Sequence, residues 1–214
     1  MFLPNKSNGA GALNRYYGVM AYGKLKVRGI EMRRSDTPKL IINLQEAMLS
    51  KLAEAKTASK FYPNIPEAIR VLREYTKKMM DNECALSDLI FETRVSRGCD
   101  DYRQFNNQLA AMKQLLQEGV DTQPGQTISY IIMHKSRNYQ KRVMILELAD
   151  ENTQYDREKY REYLLRAAES MLIPFGYTEE RLDEMMRSFF GLLFGGYSVL
   201  NDALDADIPR NNIS

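Results

Sequence analysis

The chain has 214 residues, of which 44% are hydrophobic and 27% charged, as is usual for a folded globular protein. Two cysteines and one histidine are too few for a disulfide framework or a zinc centre, and no apolar run reaches the roughly 20 residues that a membrane-spanning helix needs. The N-terminus lacks the charged and then apolar pattern of a secretory signal, so we expect a cytoplasmic protein with no membrane partner.

The net charge of +2 conceals an uneven distribution. Residues 1–34 contain seven Lys or Arg and one acid, whereas residues 147–214 contain seven Lys or Arg and fourteen acids. A basic front end and an acidic back end suggest one surface for polyanions and another for a different partner. Chance variation between short segments would give similar numbers, although the basic residues also cluster in a pattern.

The first predicted element is a β-hairpin over residues 14–34 with its turn at residues 22–24. In the second arm, Lys24, Lys26 and Arg28 alternate with apolar residues. A period of two places the basic side chains on one face of the strand. Such a face would suit a phosphate backbone, and a merely solvated basic hairpin would show the same pattern.

Helices dominate the rest of the chain, so the pattern predicts an α+β fold with two small strand pairs. Ser35-Asp36-Thr37-Pro38 has the capping side chains and early proline of a helix start. Two strands, 127–133 and 142–148, are predicted to pair across the polar loop 134–141. The predicted helices are one after Pro38, one opened by Pro66, and those over residues 101–118, 156–173 and 178–192.

No motif of a complete enzyme is present. The chain lacks a Walker-type phosphate loop and a Gly-x-Ser-x-Gly nucleophile elbow. The adjacent carboxylates of Asp100 and Asp101 would diverge, which favours an N-cap of the third helix over a two-metal site. His134 is expected to be a loop histidine, and Cys84 and Cys99 packing or surface residues. We therefore predict a binding module without catalytic or metal-ligating residues.

Four sequence patterns, in order along the chain, resemble a known family. Asn14-Arg15-Tyr16-Tyr17-Gly18 is followed by Arg28-Gly29-Ile30-Glu31-Met32-Arg33-Arg34-Ser35-Asp36. Val95-Ser96-Arg97, Asp101-Tyr102 and residues 110–115 come next, then Pro124-Gly125 with Ile128-Ser129-Tyr130-Ile131-Ile132, and finally Tyr155-Asp156 with Pro174-Phe175-Gly176-Tyr177. Together they resemble the palm–thumb junction and thumb of family B DNA polymerases.

Two departures from the family pattern matter. The paired lysines of its Lys-Lys-Arg-Tyr motif are Leu13 and Asn14 here, so only Arg15 and Tyr16 carry over. The Asp-Thr-Asp and Asp-x-x-Ser-Leu-Tyr-like motifs that bind the catalytic metals are absent. The chain is therefore similar to the small C-terminal polypeptide of a split archaeal family B polymerase, and a thumb fragment of an intact polymerase would look the same.

The resemblance implies a noncatalytic part of a DNA-directed DNA polymerase that grips the primer–template duplex in the cytoplasm, at the nucleoid. A large subunit would supply catalysis and the magnesium, and no activity is expected from this chain alone. The implied division is a palm-edge hairpin and junction over 1–35, a mainly helical thumb over 36–176, and a C-terminal helix and tail over 177–214. The alternatives are a stand-alone nucleic-acid-binding protein and a protein-interaction module.

The resemblance and the basic pattern together give the expected contacts. An open strand edge of the hairpin and residues 1–13 would meet the large subunit. Met186, Phe189 and Phe190 match a sliding-clamp motif in which Asp183 replaces glutamine, although an amphipathic helix packed into the thumb would also explain them. The expected DNA-binding residues are Asn14, Arg15, Tyr16, Lys24, Lys26, Arg28, Arg33, Arg34, Ser96, Arg97, Tyr102 and Lys113.

Overall fold

The computed structural model describes residues 2–4, 11–20, 24–55, 62–133, 139–150 and 152–195. Within these ranges the chain forms six α-helices and six strands. The strands make two antiparallel three-stranded sheets, so the predicted α+β class is confirmed. Neither sheet is the simple strand pair that the sequence pattern suggested.

The first sheet consists of β1 (Phe2–Pro4), β2 (Gly11–Val19) and β3 (Leu25–Arg28). The predicted hairpin is confirmed as the antiparallel pair β2–β3. The Met20 N–H donates to the Lys24 carbonyl at 2.8 Å, which closes the turn, although residues 21–23 of that turn lie outside the described ranges.

Strand β1 was not predicted from the sequence. This strand pairs antiparallel with β2 and buries Leu3 completely. The expected open edge of the hairpin is therefore wrong on the β2 side, because residues from the chain's own N-terminus occupy it. Residues 5–10, which were also expected at a subunit junction, lie outside the described part of the chain.

Helices α1 (Lys39–Ala53) and α2 (Ile65–Met80) pack against each other. Proline stands in the first turn of α2, as predicted. The predicted capping of α1 is wrong: the helix begins after Pro38 without a side-chain cap. Asp36 instead pairs with an arginine of the preceding turn, and the Thr37 hydroxyl donates to a backbone carbonyl of that turn.

The second sheet contains β4 (Phe91–Arg94), β5 (Thr127–Ile132) and β6 (Val143–Ile145), with β5 in the centre. The short helix α3 (Leu86–Leu89) precedes it. The predicted pairing of residues 127–133 with 142–148 is confirmed for residues 130–132 and 143–145. Residues 146–148 form a 3-10 helix instead. The loop residues 134–138, with His134, lie outside the description.

Helix α4 (Asn107–Gln117) starts later than predicted. Its N-cap is Asn106, whose side-chain oxygen accepts the Leu109 N–H at 2.8 Å. Asp101 was expected to cap this helix, but its carboxylate accepts the Gly98 N–H and closes a 3-10 turn over Cys99–Asp101. An extended loop therefore separates the two acids from α4.

Helix α5 (Arg157–Leu172) runs through the centre of the molecule and contacts α1, α2 and α6 (Glu179–Gly195). Asp156 caps it by accepting the Lys159 N–H at 2.9 Å. The helix stops at a 3-10 turn that contains Pro174, as predicted.

One continuous cluster of buried side chains includes members of all three predicted segments, among them Leu3, Tyr130 and Met186. Tyr130, which alternates with Ser129 along β5, is buried in this cluster. The three-part domain division itself stays a prediction. Within the described ranges, no helix is both long enough and apolar enough to pass through a bilayer.

Candidate nucleic-acid interface

Three basic residues along the second arm of the hairpin share one face. Directly opposed residues of an antiparallel pair project to the same side, and the register places Tyr16 opposite Arg28 and Gly18 opposite Lys26. Lys24, Lys26 and Arg28 are exposed, whereas the alternating apolar residues of β3 are half-buried against the core. The period-two pattern thus produces the charged strand face that it predicted. We call these three exposed side chains the basic row.

Tyrosine and glycine shape the end of this face. The Lys26 ammonium lies 5.9 Å from the centre of the Tyr16 ring. The Arg15 side chain donates to the Gly29 carbonyl at 3.1 Å, and Asn14 is exposed beside it. Gly29 has a φ of +72°, and a Cβ there would lie 2.4 Å from the Asn14 carbonyl oxygen. Only glycine permits this approach of the chain after β3 to β2.

The two arginines after the hairpin have different environments. Arg33 is exposed, whereas Arg34 forms a fork with Asp36 through contacts of 2.9 and 2.6 Å. These hydrogen bonds raise the pKa of Arg34 and lower the pKa of Asp36. The carboxylate of the nearby Glu31 accepts hydrogen bonds from Gln45 and from a serine of α5.

A second group of predicted residues lies between β4 and α4. The Arg97 guanidinium stands 5.3 Å from the Tyr102 ring, and the Tyr102 hydroxyl donates to Gln108 at 3.1 Å. Further along α4, the Lys113 ammonium lies 5.5 Å from the ring of Phe105. Ser96 is exposed next to Arg97. The fold therefore brings these predicted residues into one loop and the helix that follows it.

Arg94 is a further cation of this second group and was not predicted from the sequence. It ends β4 exposed, and its Nε donates to the Gly125 carbonyl at 3.2 Å. The Arg94 carbonyl accepts from Gln108, which also holds Tyr102. The alternation of exposed and half-buried residues in β4 is the signal that could have identified it.

Helix α5 sets the spacing between the two groups. The first sheet reaches α5 through the Tyr17 hydroxyl, which donates to the Met171 carbonyl at 3.2 Å. The second sheet reaches it at Tyr160, whose hydroxyl accepts the Ile132 N–H at 3.0 Å and donates to the Leu89 carbonyl at 2.6 Å. Burial raises the pKa of both tyrosines far above the ordinary range, so both hydroxyls keep their protons. A rise of 1.5 Å per residue separates the two attachments by about 16 Å.

The residues of the possible clamp motif are partly engaged inside the fold. Met186 is fully buried, and the Phe189 ring lies 5.0 Å from the Arg73 guanidinium. Asp183 is paired with Arg161 and Arg187. The side chain of Phe190 lies outside the description. Packing of an amphipathic helix accounts for Met186 and Phe189 here, and clamp binding stays a prediction.

A cleft of about 700 Å³ opens between α5 and α6. Acidic and basic side chains alternate along its wall, including Glu158, Arg161 and Glu180. None of the predicted DNA-binding residues lines it. Among the described residues, no group of three or more His, Cys, Asp or Glu side chains is placed to hold a metal ion.

The fold is similar to part of a solved DNA polymerase structure. It superposes on the structure of the family B DNA polymerase from the hyperthermophilic archaeon Pyrobaculum calidifontis with a TM-score of 0.61. The match covers 73% of this chain and 20% of that chain, at 20% sequence identity.

Sequence comparison specifies the family. The profile of DNA polymerase family B matches residues 13–175, and the chain therefore belongs to this family. A DNA polymerase of Pyrococcus horikoshii is 28% identical over 170 residues, covering 78% of this chain and 13% of that protein. A DNA polymerase of Thermococcus sp. strain 9oN-7 is 29% identical over 170 residues, covering 78% of this chain and 21% of that protein. The chain thus spans less than a quarter of the length of these relatives.

Proposed function

We propose that this chain is the noncatalytic thumb part of a family B DNA polymerase. It grips the primer–template duplex and completes the active enzyme together with a catalytic large subunit that carries the magnesium. Membership of the family supports the connection with DNA synthesis. The observation that carries the proposal is the exposed basic row of β3, since it lies in the region that the family profile matches.

The basic row has dimensions that suit a duplex backbone. Residues two apart on a strand are separated by about 6.6 Å, so Lys24, Lys26 and Arg28 span about 13 Å. That length corresponds to roughly four base pairs of B-DNA at 3.4 Å each. Lysine and arginine contacts with phosphates carry no sequence information, which is what holding any primer–template requires.

The second group would extend the contact. Arg94 and Arg97 are both exposed, and the two sheets meet α5 at positions about 16 Å apart along the helix. Each guanidinium is held by a partner, a backbone carbonyl for Arg94 and an aromatic ring for Arg97. Cations with fixed orientations on two sheets that are both attached to α5 would favour a single docking orientation of the duplex.

The proposal includes a large subunit that would supply the catalytic part of the enzyme. The relatives that it matches are about four to six times as long as this chain. The family's two metal-binding motifs are absent from this sequence. The partner would therefore be a chain that carries the Asp-Thr-Asp motif, and primer extension would need both chains.

The test is binding of the purified chain to a labelled primer–template across a salt series, with and without the chain from the same genome that carries the Asp-Thr-Asp motif. The double variant Lys26→Gln/Arg28→Gln is compared with Lys77→Gln/Lys78→Gln at the exposed end of α2. Each lost phosphate contact lowers the slope of log K against log salt by about 0.9, so we expect a fall of up to about 2 for the first pair. The α2 pair should leave the slope unchanged.

The partner experiment separates the alternatives. On our proposal, the partner tightens duplex binding and the mixture extends primers with Mg²⁺, whereas neither chain extends them alone. Tight binding that the partner does not change would identify a stand-alone nucleic-acid-binding protein. No salt-dependent binding under any condition would identify a protein-interaction module, with the basic row as ordinary solvated surface.

A further inference from the structure

Glu31 is the only acidic residue among residues 1–34, which contain seven Lys or Arg. It opens a 3-10 turn, Glu31–Arg33, between β3 and α1. Its carboxylate accepts hydrogen bonds from Gln45 Nε2 at 2.8 Å and from the Ser170 hydroxyl at 2.7 Å. A negative charge inside a basic, DNA-facing segment would by itself weaken DNA binding, so its placement requires another reason.

Gln45 connects this carboxylate to the centre of the molecule. Its side chain is completely buried in α1. Besides Glu31, its Nε2 donates to the Ala167 carbonyl of α5 at 2.9 Å, and its Oε1 accepts the Met32 N–H at 2.7 Å. Both ends of the amide are therefore used, which makes the orientation of the side chain unique.

The backbone of the same turn is held as well. The Glu31 carbonyl accepts the Arg34 N–H at 2.9 Å and the Thr37 hydroxyl at 2.8 Å. The turn that presents Arg33 and Arg34 is thus tied by side chains to two helices. One of these ties, at Ser170, joins residues 139 positions apart in the chain.

We propose that Glu31 is a positioning residue, which acts through Gln45 and Ser170 to fix the arginine turn and the adjoining hairpin relative to α1 and α5. The inference rests on the proposed function, because the orientation matters only if this surface meets DNA. Its positioning of the turn strengthens duplex binding, whereas its negative charge weakens it. This difference in sign makes the inference testable.

Two substitutions of Glu31 separate charge from position. In Glu31→Gln the charge disappears, but the amide oxygen can accept from Gln45 and the amide nitrogen can donate to the Ser170 oxygen. The Ser170 hydroxyl then donates to the Arg166 carbonyl, already 3.1 Å away. In Glu31→Ala both the charge and the two hydrogen bonds are lost. If only charge mattered, both variants would bind the primer–template more tightly, and equally so.

We expect Glu31→Gln to bind at least as tightly as the wild-type protein, and Glu31→Ala about tenfold more weakly than Glu31→Gln. Ser170→Ala changes no charge and lies on α5, so a several-fold loss of affinity there would come from the same network. All measurements are made where circular dichroism shows every variant to be folded. Equal affinities of Glu31→Ala and Glu31→Gln would overturn the inference.

Hydrogen exchange gives a reading that does not depend on DNA. The amides of Met32 and Arg34 are bonded within this network, so their protection should fall in Glu31→Ala and Ser170→Ala and persist in Glu31→Gln. If the wild-type protein does not bind the duplex but this protection pattern appears, the proposed function fails and the positioning of the turn stands. If protection is the same in all variants, the positioning inference is wrong even where the protein binds DNA.

Discussion

Gly29 is the position where a single methyl group should disturb the candidate interface most directly. An L-residue in the left-handed region costs about 1–2 kcal/mol. In addition, a Cβ at Gly29 would lie 2.4 Å from the Asn14 carbonyl oxygen and 2.8 Å from Arg15 Cγ, so β2 must shift away from the end of β3. We expect Gly29→Ala to lower the free energy of unfolding by about 2–4 kcal/mol. For a chain of this size that corresponds to roughly 4–15 °C in Tm.

The matched control is Gly18→Ala in the same sheet. Its φ is not in the left-handed region, and a Cβ there would meet no atom within 4 Å. We expect its free energy of unfolding to change by no more than about 0.5 kcal/mol. Thermal melts followed by circular dichroism compare the two variants, and the duplex affinity of Gly29→Ala should also fall because the basic row moves. Melting temperatures of the two variants that agree within about a degree would refute this reasoning.

Three further outcomes are expected. Tyr160→Phe should lower the free energy of unfolding by about 2–4 kcal/mol in urea titrations, because it leaves a buried N–H and a buried carbonyl without partners. Tyr163→Phe on the same helix is the control. An equal loss of stability in both variants would contradict this expectation. Burial raises the pKa of the Cys84 thiol to about 11, so at pH 8 the thiolate is roughly two orders of magnitude less populated than in an unfolded chain. Iodoacetamide labelling of Cys84, measured by mass spectrometry, should therefore be slow until urea unfolds the protein. Hydrogen bonds from Arg34 lower the pKa of Asp36, so the stability that this carboxylate contributes is present above its unfolded pKa and lost as pH falls through its lower folded pKa. The difference in stability between wild type and Asp36→Asn should accordingly be constant near neutral pH and shrink in acid; a constant difference down to pH 3 would speak against the fork.

Local patterns predicted the hairpin and most helices, because each depends on residues that are close in sequence. The alternation in β3 is visible in four residues, and Pro66 and Pro174 mark helix ends through their own covalent geometry. The predicted cap of α1 is wrong because its polar side chains have other hydrogen-bond partners. Asp36 and Thr37 resemble helix caps, but their side chains form hydrogen bonds with Arg34 and the Glu31 carbonyl instead.

The shared face of the basic row was predictable from the sequence, but the contacts that hold the adjoining turn were not. The basic row follows from strand periodicity alone. The contact of Glu31 with Ser170 spans 139 positions, and no local pattern in the sequence indicates it. The strand β1 was missed because three residues are too few to show a period.

The hydrogen bond from Tyr17 to Met171 joins residues 154 positions apart, and this has a consequence for synthesis of the chain. At about 5–20 residues per second, a ribosome adds residue 171 roughly 8–30 s after residue 17. The hairpin therefore emerges well before the end of α5 to which it is attached. Throughout that interval the most basic segment of the protein lacks its attachment to α5, close to the polyanionic RNA of the ribosome that makes it.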